Sequence, residues 1–120
     1  MELFESGEMY LESILVLKRQ SGNVRAIDLS EYMGYSRASV STALSKLRSG
    51  GFLTTGPDGE LLFTEKGAET AEKIYERHVL LADFLISIGV NRKTAEDDAC
   101  RIEHVISDET FSAMKNFVHR

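Results

Sequence analysis

Apolar residues recur along the first half of the chain at the spacing of amphipathic helices. Residues 4–20 form one such pattern, and Ala26–Met33 form a second, shorter one. Ser36 is a good N-cap for a third helix that runs to Ser49, and Gly34-Tyr35 predicts a tight turn before it. The apolar positions of this third helix are Val40, Ala43, Leu44 and Leu47.

A hairpin and three more helices follow in the predicted order. Phe52–Thr55 and Glu60–Phe63 are strand-like, and Pro57-Asp58-Gly59 between them is typical of a β-hairpin turn. The order helix, helix, turn, helix, hairpin is that of a winged helix-turn-helix. The fold class is therefore mainly α with a small β-hairpin: a winged helix-turn-helix followed by a helical dimerisation module. The remaining predicted helices run from Thr64 to Gly89, over Arg92–Val105 after the N-cap Asn91, and over 107–119 after the N-cap Ser107.

The composition favours a reduced, cytoplasmic protein. Hydrophobic residues make up 42% of the 120 residues, which suffices for a core, and no apolar run approaches the length of a membrane span. The single cysteine cannot form an internal disulfide. Glu2, Glu5 and Glu8 stand where a secretory signal would carry basic residues. We therefore expect a cytoplasmic location and no membrane partner.

The third helix is locally basic although the formal net charge of the chain is −5. It contains Arg37, Lys46 and Arg48 and no acid, which favours DNA binding. Arg37 is the side chain suited to a bidentate contact with a base. The alternative is a polar, exposed helix whose serines only cap and solvate it. The predicted DNA-binding residues are Ser36, Arg37, Ala38, Ser39, Ser41, Thr42, Ser45, Lys46 and Arg48.

A second group of polar residues has the spacing of a metal site. Cys100, Glu103 and His104 stand at i, i+3 and i+4 in the predicted helix 92–105, which would present them on one face within a single turn. Thiol, carboxylate and imidazole are donors that a divalent transition metal binds. The sequence therefore predicts a metal site. The alternative for Cys100 is a buried hydrophobic residue that contributes only its backbone carbonyl.

Three segments carry a resemblance to a known family. Residues 97–109, Asp-Asp-Ala-Cys-Arg-Ile-Glu-His-Val-Ile-Ser-Asp-Glu, resemble the metal-binding helix of the diphtheria toxin repressor and manganese transport regulator family, the metal-dependent iron and manganese regulators of bacteria. Met9-Tyr10-Leu11-Glu12 resembles the start of that family, and Thr64-Glu65-Lys66-Gly67 followed by His78 resembles the pattern after its wing. The chain looks like the short form, without the SH3-like domain of longer members.

The resemblance implies a set of metal ligands. Met9 follows the pattern of the iron-sensing members, as do the three residues of the 97–109 motif, whereas Glu12 and His78 match ligands of the manganese-sensing members. Met9 as a core residue, Glu12 as a solvated acid and His78 as a core histidine are the alternatives. The implied metal ligands are Met9, Glu12, His78, Cys100, Glu103 and His104.

An ancillary metal site would use Asp83 and Glu96, and here the chain departs from the family. Ala82 stands where the family has a carboxylate, with Asp83 one position further on. Glu96 stands where the family has a second histidine.

The resemblance implies a metal-dependent transcriptional repressor of metal-ion homeostasis. Residues 1–70 would be the DNA-binding domain, and residues 71–120 the metal-binding and dimerisation domain. A homodimer loaded with Fe²⁺, the preferred ion, or Mn²⁺ would bind a palindromic double-stranded DNA operator. Co²⁺, Ni²⁺ or Zn²⁺ would bind in vitro. No organic cofactor and no enzymatic activity are expected.

Three other functions remain as alternatives. A winged-helix regulator could answer an organic ligand, or bind DNA constitutively, with a purely structural metal site. A small metal hydrolase would need a general base, and the sequence offers no separate one. A protein-interaction module would leave the metal cluster unexplained.

Overall fold

The computed structural model describes residues 5–118, with side chains from Ser6 onward. The chain divides into two compact units, the first ending at Glu72 and the second beginning at Lys73. No helix among the described residues is long and apolar enough to cross a membrane. The predicted start of the first helix at residue 4 and the predicted end of the last at residue 119 lie outside the described residues.

Three helices pack on one another in the first unit. The predicted apolar positions of the third helix are all buried, and Leu44 and Leu47 have no exposed surface. Its predicted N-cap is also confirmed, because the hydroxyl of Ser36 accepts a hydrogen bond from the amide of Ser39 at 3.1 Å. The three helices are α1 (Glu5–Ser21), α2 (Ala26–Met33) and α3 (Arg37–Ser49).

A glycine in the left-handed backbone region makes the turn between α2 and α3. Gly34 has φ of 73°, which side chains with a Cβ rarely adopt, and its amide donates to the carbonyl of Ser30 at 2.9 Å. The hydroxyl of Ser30 donates to the carbonyl of Tyr35 at 2.6 Å. Ser30 therefore forms hydrogen bonds with both residues of the turn, Gly34 and Tyr35.

The wing is an antiparallel hairpin of β1 (Leu53–Thr55) and β2 (Leu61–Phe63), with Leu53 opposite Phe63. Each strand begins one residue later than the sequence predicts. The first residue of β2 also donates its amide to the carbonyl of Val24 at 2.7 Å. The segment before α2 thus adds a backbone hydrogen bond to a short hairpin that would be marginal alone.

Helix α4 (Glu65–Ser87) begins directly after the wing. The predicted cap at Thr64 is confirmed, since its hydroxyl accepts from the amide of Gly67 at 3.0 Å and donates to the carbonyl of Gly51 at 2.6 Å. Gly67 is a close-packing position: a Cβ there would lie 1.9 Å from the carbonyl oxygen of Phe52.

The second unit contains the rest of α4, together with α5 (Arg92–Ile102) and α6 (Asp108–Val118). The predicted caps of both short helices are confirmed: Asn91 accepts from the amide of Lys93, and Ser107 accepts from the amide of Thr110. Its core includes the buried residues Leu81, Ala82 and Ala99, with Ile102, Ile106 and Met114 packed against them.

The end of α5 differs from the prediction. The helix stops at Ile102 and not at Val105, because the amide of Val105 bonds to the carbonyl of Ile102 in a tighter turn. The carbonyl of Ile106 accepts from the side chain of Arg77 at 3.0 Å. This tertiary hydrogen bond has no counterpart in the local sequence pattern, which therefore overestimates the length of the helix.

Candidate metal centre and nucleic-acid interface

The end of α5 brings three metal-ligating side chains together in the second unit. Cys100 lies in the last turn of the helix, and Glu103 and His104 lie in the turn that follows. One ligand atom from each, the thiol sulphur, a carboxylate oxygen and an imidazole nitrogen, all lie within 4.8 Å of one another. The three predicted ligands therefore do lie close together. They do not share one helical face, however, because Glu103 and His104 belong to the turn after α5.

The cluster is shielded from water. The side chain of Glu103 has no exposed surface and that of His104 is 1% exposed, while Cys100 is half-buried. A carboxylate in such a place needs compensating charge or hydrogen bonds, because its desolvation is costly. A soft thiolate beside an imidazole and a carboxylate suits a divalent transition metal far better than Mg²⁺ or Ca²⁺. The donor set therefore fits the metal that the sequence predicts.

Two histidines lie beside the Glu103 carboxylate. His78, on α4, donates from Nδ1 to Oε2 of Glu103 at 2.8 Å. His104 Nε2 lies 3.2 Å from the other oxygen, Oε1. His78 thus holds one oxygen and leaves the other turned toward His104, which is the arrangement that a partner of a metal ligand provides.

The remaining predicted ligands belong to helices α1, α4 and α5. Met9 and Glu12 are both half-buried and one turn apart on α1, in the first unit. Asp83, on α4, is exposed. Glu96, on α5, is exposed and lies 3.9 Å from Arg92. Both residues of the predicted ancillary site, Asp83 and Glu96, are therefore exposed to solvent.

All nine predicted DNA-binding residues are exposed: Ser36 caps α3, and the other eight lie on its exposed side, opposite its buried face. Part of their hydrogen-bonding capacity is used locally: Ser36 donates to the hydroxyl of Ser39 at 3.0 Å, and Thr42 donates to the carbonyl of Ala38 at 3.0 Å. The first turn of the helix carries no acid, so its positive N-terminal end is not offset there.

An open groove runs between α1 and the exposed side of α3. Two aromatic residues that the sequence analysis did not single out line it, together with Thr42 and Lys46. These are Tyr10 and Tyr35, whose ring centroids are 6.0 Å apart. Burial, and secondarily the neighbouring Tyr35, raises the pKa of Tyr10 above its ordinary value. The sequence gives little indication of this groove: Tyr10 occupies an apolar position of α1, and Tyr35 lies in the turn before α3.

Known protein families match both parts of the chain. Residues 2–61 match the model of the iron dependent repressor N-terminal DNA binding domain. Residues 64–120 match the model of the iron dependent repressor metal binding and dimerisation domain.

Several curated proteins are similar over most of the chain. The uncharacterized HTH-type transcriptional regulator MJ0568 of Methanocaldococcus jannaschii is 32% identical over 118 residues, which cover 97% of this chain and 94% of that protein. The transcriptional regulator MntR of Escherichia coli O6:H1 is 32% identical over 92% of this chain and 72% of its own length. The iron-dependent repressor IdeR of Mycobacterium bovis is 31% identical over 90% of this chain and 47% of its own length.

Solved structures share the fold. The metal-dependent transcriptional regulator MtsR superposes with a TM-score of 0.87 at 25% identity, over 94% of this chain and 53% of that one. A manganese-dependent transcriptional repressor in complex with manganese superposes with a TM-score of 0.83 at 26% identity, over 94% and 52%. The chain thus spans about half the length of these two solved relatives.

Proposed function

This chain belongs to the iron-dependent repressor family, and from that premise we propose that it is a DNA-binding transcriptional repressor switched on by a divalent transition metal. The observation that carries the proposal is the cluster of Cys100, Glu103 and His104 in one unit of a chain whose other unit is a winged helix-turn-helix. In this proposal the first unit binds DNA, and the second dimerises and supplies three of the metal ligands.

The metal ligands in this proposal are Cys100, Glu103 and His104, joined by Met9 and Glu12 of α1. The two α1 residues are included because their segment resembles the start of the family and because a thioether and a carboxylate one turn apart share a helix face. When bound, the ion supplies positive charge among acidic groups and binds the deprotonated thiol and the neutral imidazole.

His78 is better suited to support a ligand than to be one. Its Nδ1 is already engaged with Glu103 Oε2 at 2.8 Å, and its side chain is 25% exposed where that of Glu103 is fully buried. We therefore propose that His78 orients Glu103 in the metal site.

Fe²⁺ is our preferred ion and Mn²⁺ is second. Thiolate and thioether donors, from Cys100 and Met9, favour the softer Fe²⁺, whereas the additional carboxylate of Glu12 favours Mn²⁺. The matched proteins include both an iron-dependent repressor and a manganese-dependent one, so their names support either ion. Tighter binding of Co²⁺, Ni²⁺ or Zn²⁺ in vitro would follow the general order of affinities and would not identify the physiological ion.

The DNA-reading element is α3. Its exposed face presents Arg37 near the N-terminal end, where a recognition helix meets base edges, and Lys46 and Arg48 near the other end, where phosphates are contacted. In this proposal Arg37 contributes sequence preference, and the lysine and second arginine contribute affinity.

A homodimer completes the proposal, because one winged helix reads too few base pairs and a two-fold dimer reads a palindrome. Exposed apolar side chains in the second unit support it: Val105 is 72% exposed and Phe117 is 58% exposed. An apolar groove in the same unit adds to this surface. It is lined by Phe84, Ala113, Met114 and Phe117.

Metal binding would act as a switch through charge. Without the ion, the carboxylates of the ligand set repel one another, and with it they are neutralised and drawn together. An ion that favours the DNA-competent arrangement by about 3 kcal/mol would raise the affinity for the operator more than a hundredfold.

Replacement of Glu103 tests the assignment of the site. We expect Glu103→Ala to abolish the metal-dependent gain in DNA affinity, measured by fluorescence anisotropy with DNA from the region upstream of the gene. The matched control is Glu109→Ala, which removes an exposed carboxylate in the first turn of α6. A Glu103→Ala protein that tightened on DNA with metal as the wild type does would refute the proposal.

A further inference from the structure

A nearly buried arginine donates hydrogen bonds to the turn that contains the proposed metal ligands Glu103 and His104. The side chain of Arg77, on α4, is 12% exposed. Its Nη1 donates to the carbonyl of Ile106 at 3.0 Å and to that of Glu103 at 3.4 Å, and its Nη2 donates to the carboxylate of Asp108. The guanidinium also lies over the ring of Phe111, 5.3 Å from its centroid.

These contacts bridge the break between α5 and α6. Where a helix ends, its last carbonyls lose their amide partners, and buried carbonyls need replacements. Arg77 supplies donors to two carbonyls of the turn 103–107 and holds the first residue of α6, Asp108, through its carboxylate. A planar fork with five donors can serve all three acceptors at once, and an ammonium group cannot match that geometry.

Arg77 and His78 are consecutive, and both act on the same residue. Arg77 contacts the main-chain carbonyl of Glu103, while His78 holds its carboxylate at 2.8 Å. The main chain and the side chain of Glu103 are therefore restrained from a single turn of α4. The carbonyl of Glu103 belongs to the peptide that joins it to His104. The hydrogen bond from Arg77 therefore also restricts the positions that the His104 imidazole can adopt.

We propose that Arg77 is a positioning residue of the metal centre: it fixes the backbone of the 103–106 turn so that Glu103 and His104 present their ligand atoms together before metal arrives. This inference rests on the proposed function, since it assumes that the cluster binds metal. Partners of metal ligands that hold them in place typically account for 10–100-fold of metal affinity. Arg77 acts one step further out, through the backbone.

The test is a Co²⁺ titration under anaerobic conditions, followed by the visible d–d bands and by thiolate-to-Co²⁺ charge transfer from Cys100. We expect Arg77→Ala to bind Co²⁺ about tenfold or more weakly than the wild type, with altered d–d bands because the geometry of Glu103 and His104 is relaxed. Arg77→Lys keeps the charge and loses the fork, so it should recover part of the affinity.

Two exposed cations in the same unit provide matched controls. Lys73 lies 3.5 Å from the same Asp108 carboxylate but is 63% exposed, and Arg101 pairs with Asp98 on the surface of α5. Lys73→Ala and Arg101→Ala should leave the Co²⁺ affinity and the spectrum unchanged. Circular dichroism at the titration temperature establishes whether each variant is folded. If Arg77→Ala is not folded, the comparison is made with Arg77→Lys.

The outcomes separate this inference from the proposed function. If wild-type protein binds Co²⁺ with a thiolate band and the folded Arg77 variants bind it identically, Arg77 has only a structural role and the inference is overturned. If the wild type gives no thiolate band and no saturable binding, the cluster is not a metal site, and the proposed function falls together with the inference.

Discussion

Gly67 sets how closely helix α4 can approach Phe52, the residue before β1, and Gly67→Ala should therefore destabilise the first unit. A Cβ at this position would lie 1.9 Å from the carbonyl oxygen of Phe52 and 2.8 Å from its carbonyl carbon. Both atoms belong to the backbone, so no side-chain rotation relieves the clash. The carbonyl of Phe52 also accepts the amide of Thr64 at 3.2 Å, and a shift would weaken that bond.

Two opposing effects set the size of the change. Alanine is favoured over glycine inside a helix by about 1 kcal/mol, which alone would stabilise the variant. Overpacking against a fixed backbone costs about 1–3 kcal/mol, and loss of the Thr64 hydrogen bond adds about 1 kcal/mol. The steric term prevails, and we expect a net loss of about 2 kcal/mol in the free energy of unfolding.

Urea denaturation followed by circular dichroism measures this loss. Ala68→Gly, at the next position of the helix, is the control, because it reports the helix-propensity difference without a backbone clash, and should cost about 1 kcal/mol. If Gly67→Ala were as stable as the wild type, or more stable, the helix would not pack against Phe52 as described.

Three further predictions concern the first unit. Leu44→Ala removes a side chain with no exposed surface and should lower the free energy of unfolding by about 2–5 kcal/mol in urea denaturation. Arg37→Ala should weaken operator binding by about 1–3 kcal/mol in anisotropy titrations and relax the preference at one base pair, whereas exposed Arg92→Ala, on α5, should not. Because burial raises the pKa of Tyr10 above 10.0, the neutral phenol contributes stability that is present below pH 10 and lost as pH rises through the raised pKa. Tyr10→Phe should flatten that alkaline loss in unfolding experiments at pH 9–12, and an unchanged pH profile would contradict the assignment to Tyr10.

Helix α3 shows how far a local pattern can go. Its N-cap at Ser36, its end at Ser49 and its buried positions follow from caps and periodicity within fourteen residues. Helix α5 shows the limit, because it ends at Ile102 and the turn that follows is held by a hydrogen bond from Arg77 to the carbonyl of Ile106. The residues around Ile102 do not indicate that Arg77 of α4 supplies a hydrogen-bond donor to this turn.

The candidate site divides in the same way. The proximity of Cys100, Glu103 and His104 follows from their spacing, even though the last two lie beyond the end of the helix. The roles of His78 and Arg77 depend on contacts across more than twenty residues of chain, and spacing cannot reveal these.

Control of DNA binding by metal can be tested in a single titration. Fluorescence anisotropy of wild-type protein with DNA from the region upstream of its gene would be measured anaerobically with Fe²⁺, with Mn²⁺ and with chelator. We expect the affinity for DNA to be more than about a hundredfold higher with metal than with chelator, and higher with Fe²⁺ than with Mn²⁺ at equal free concentration. Equal affinity in metal and in chelator would contradict it, leaving a winged-helix protein whose metal cluster has a structural role only.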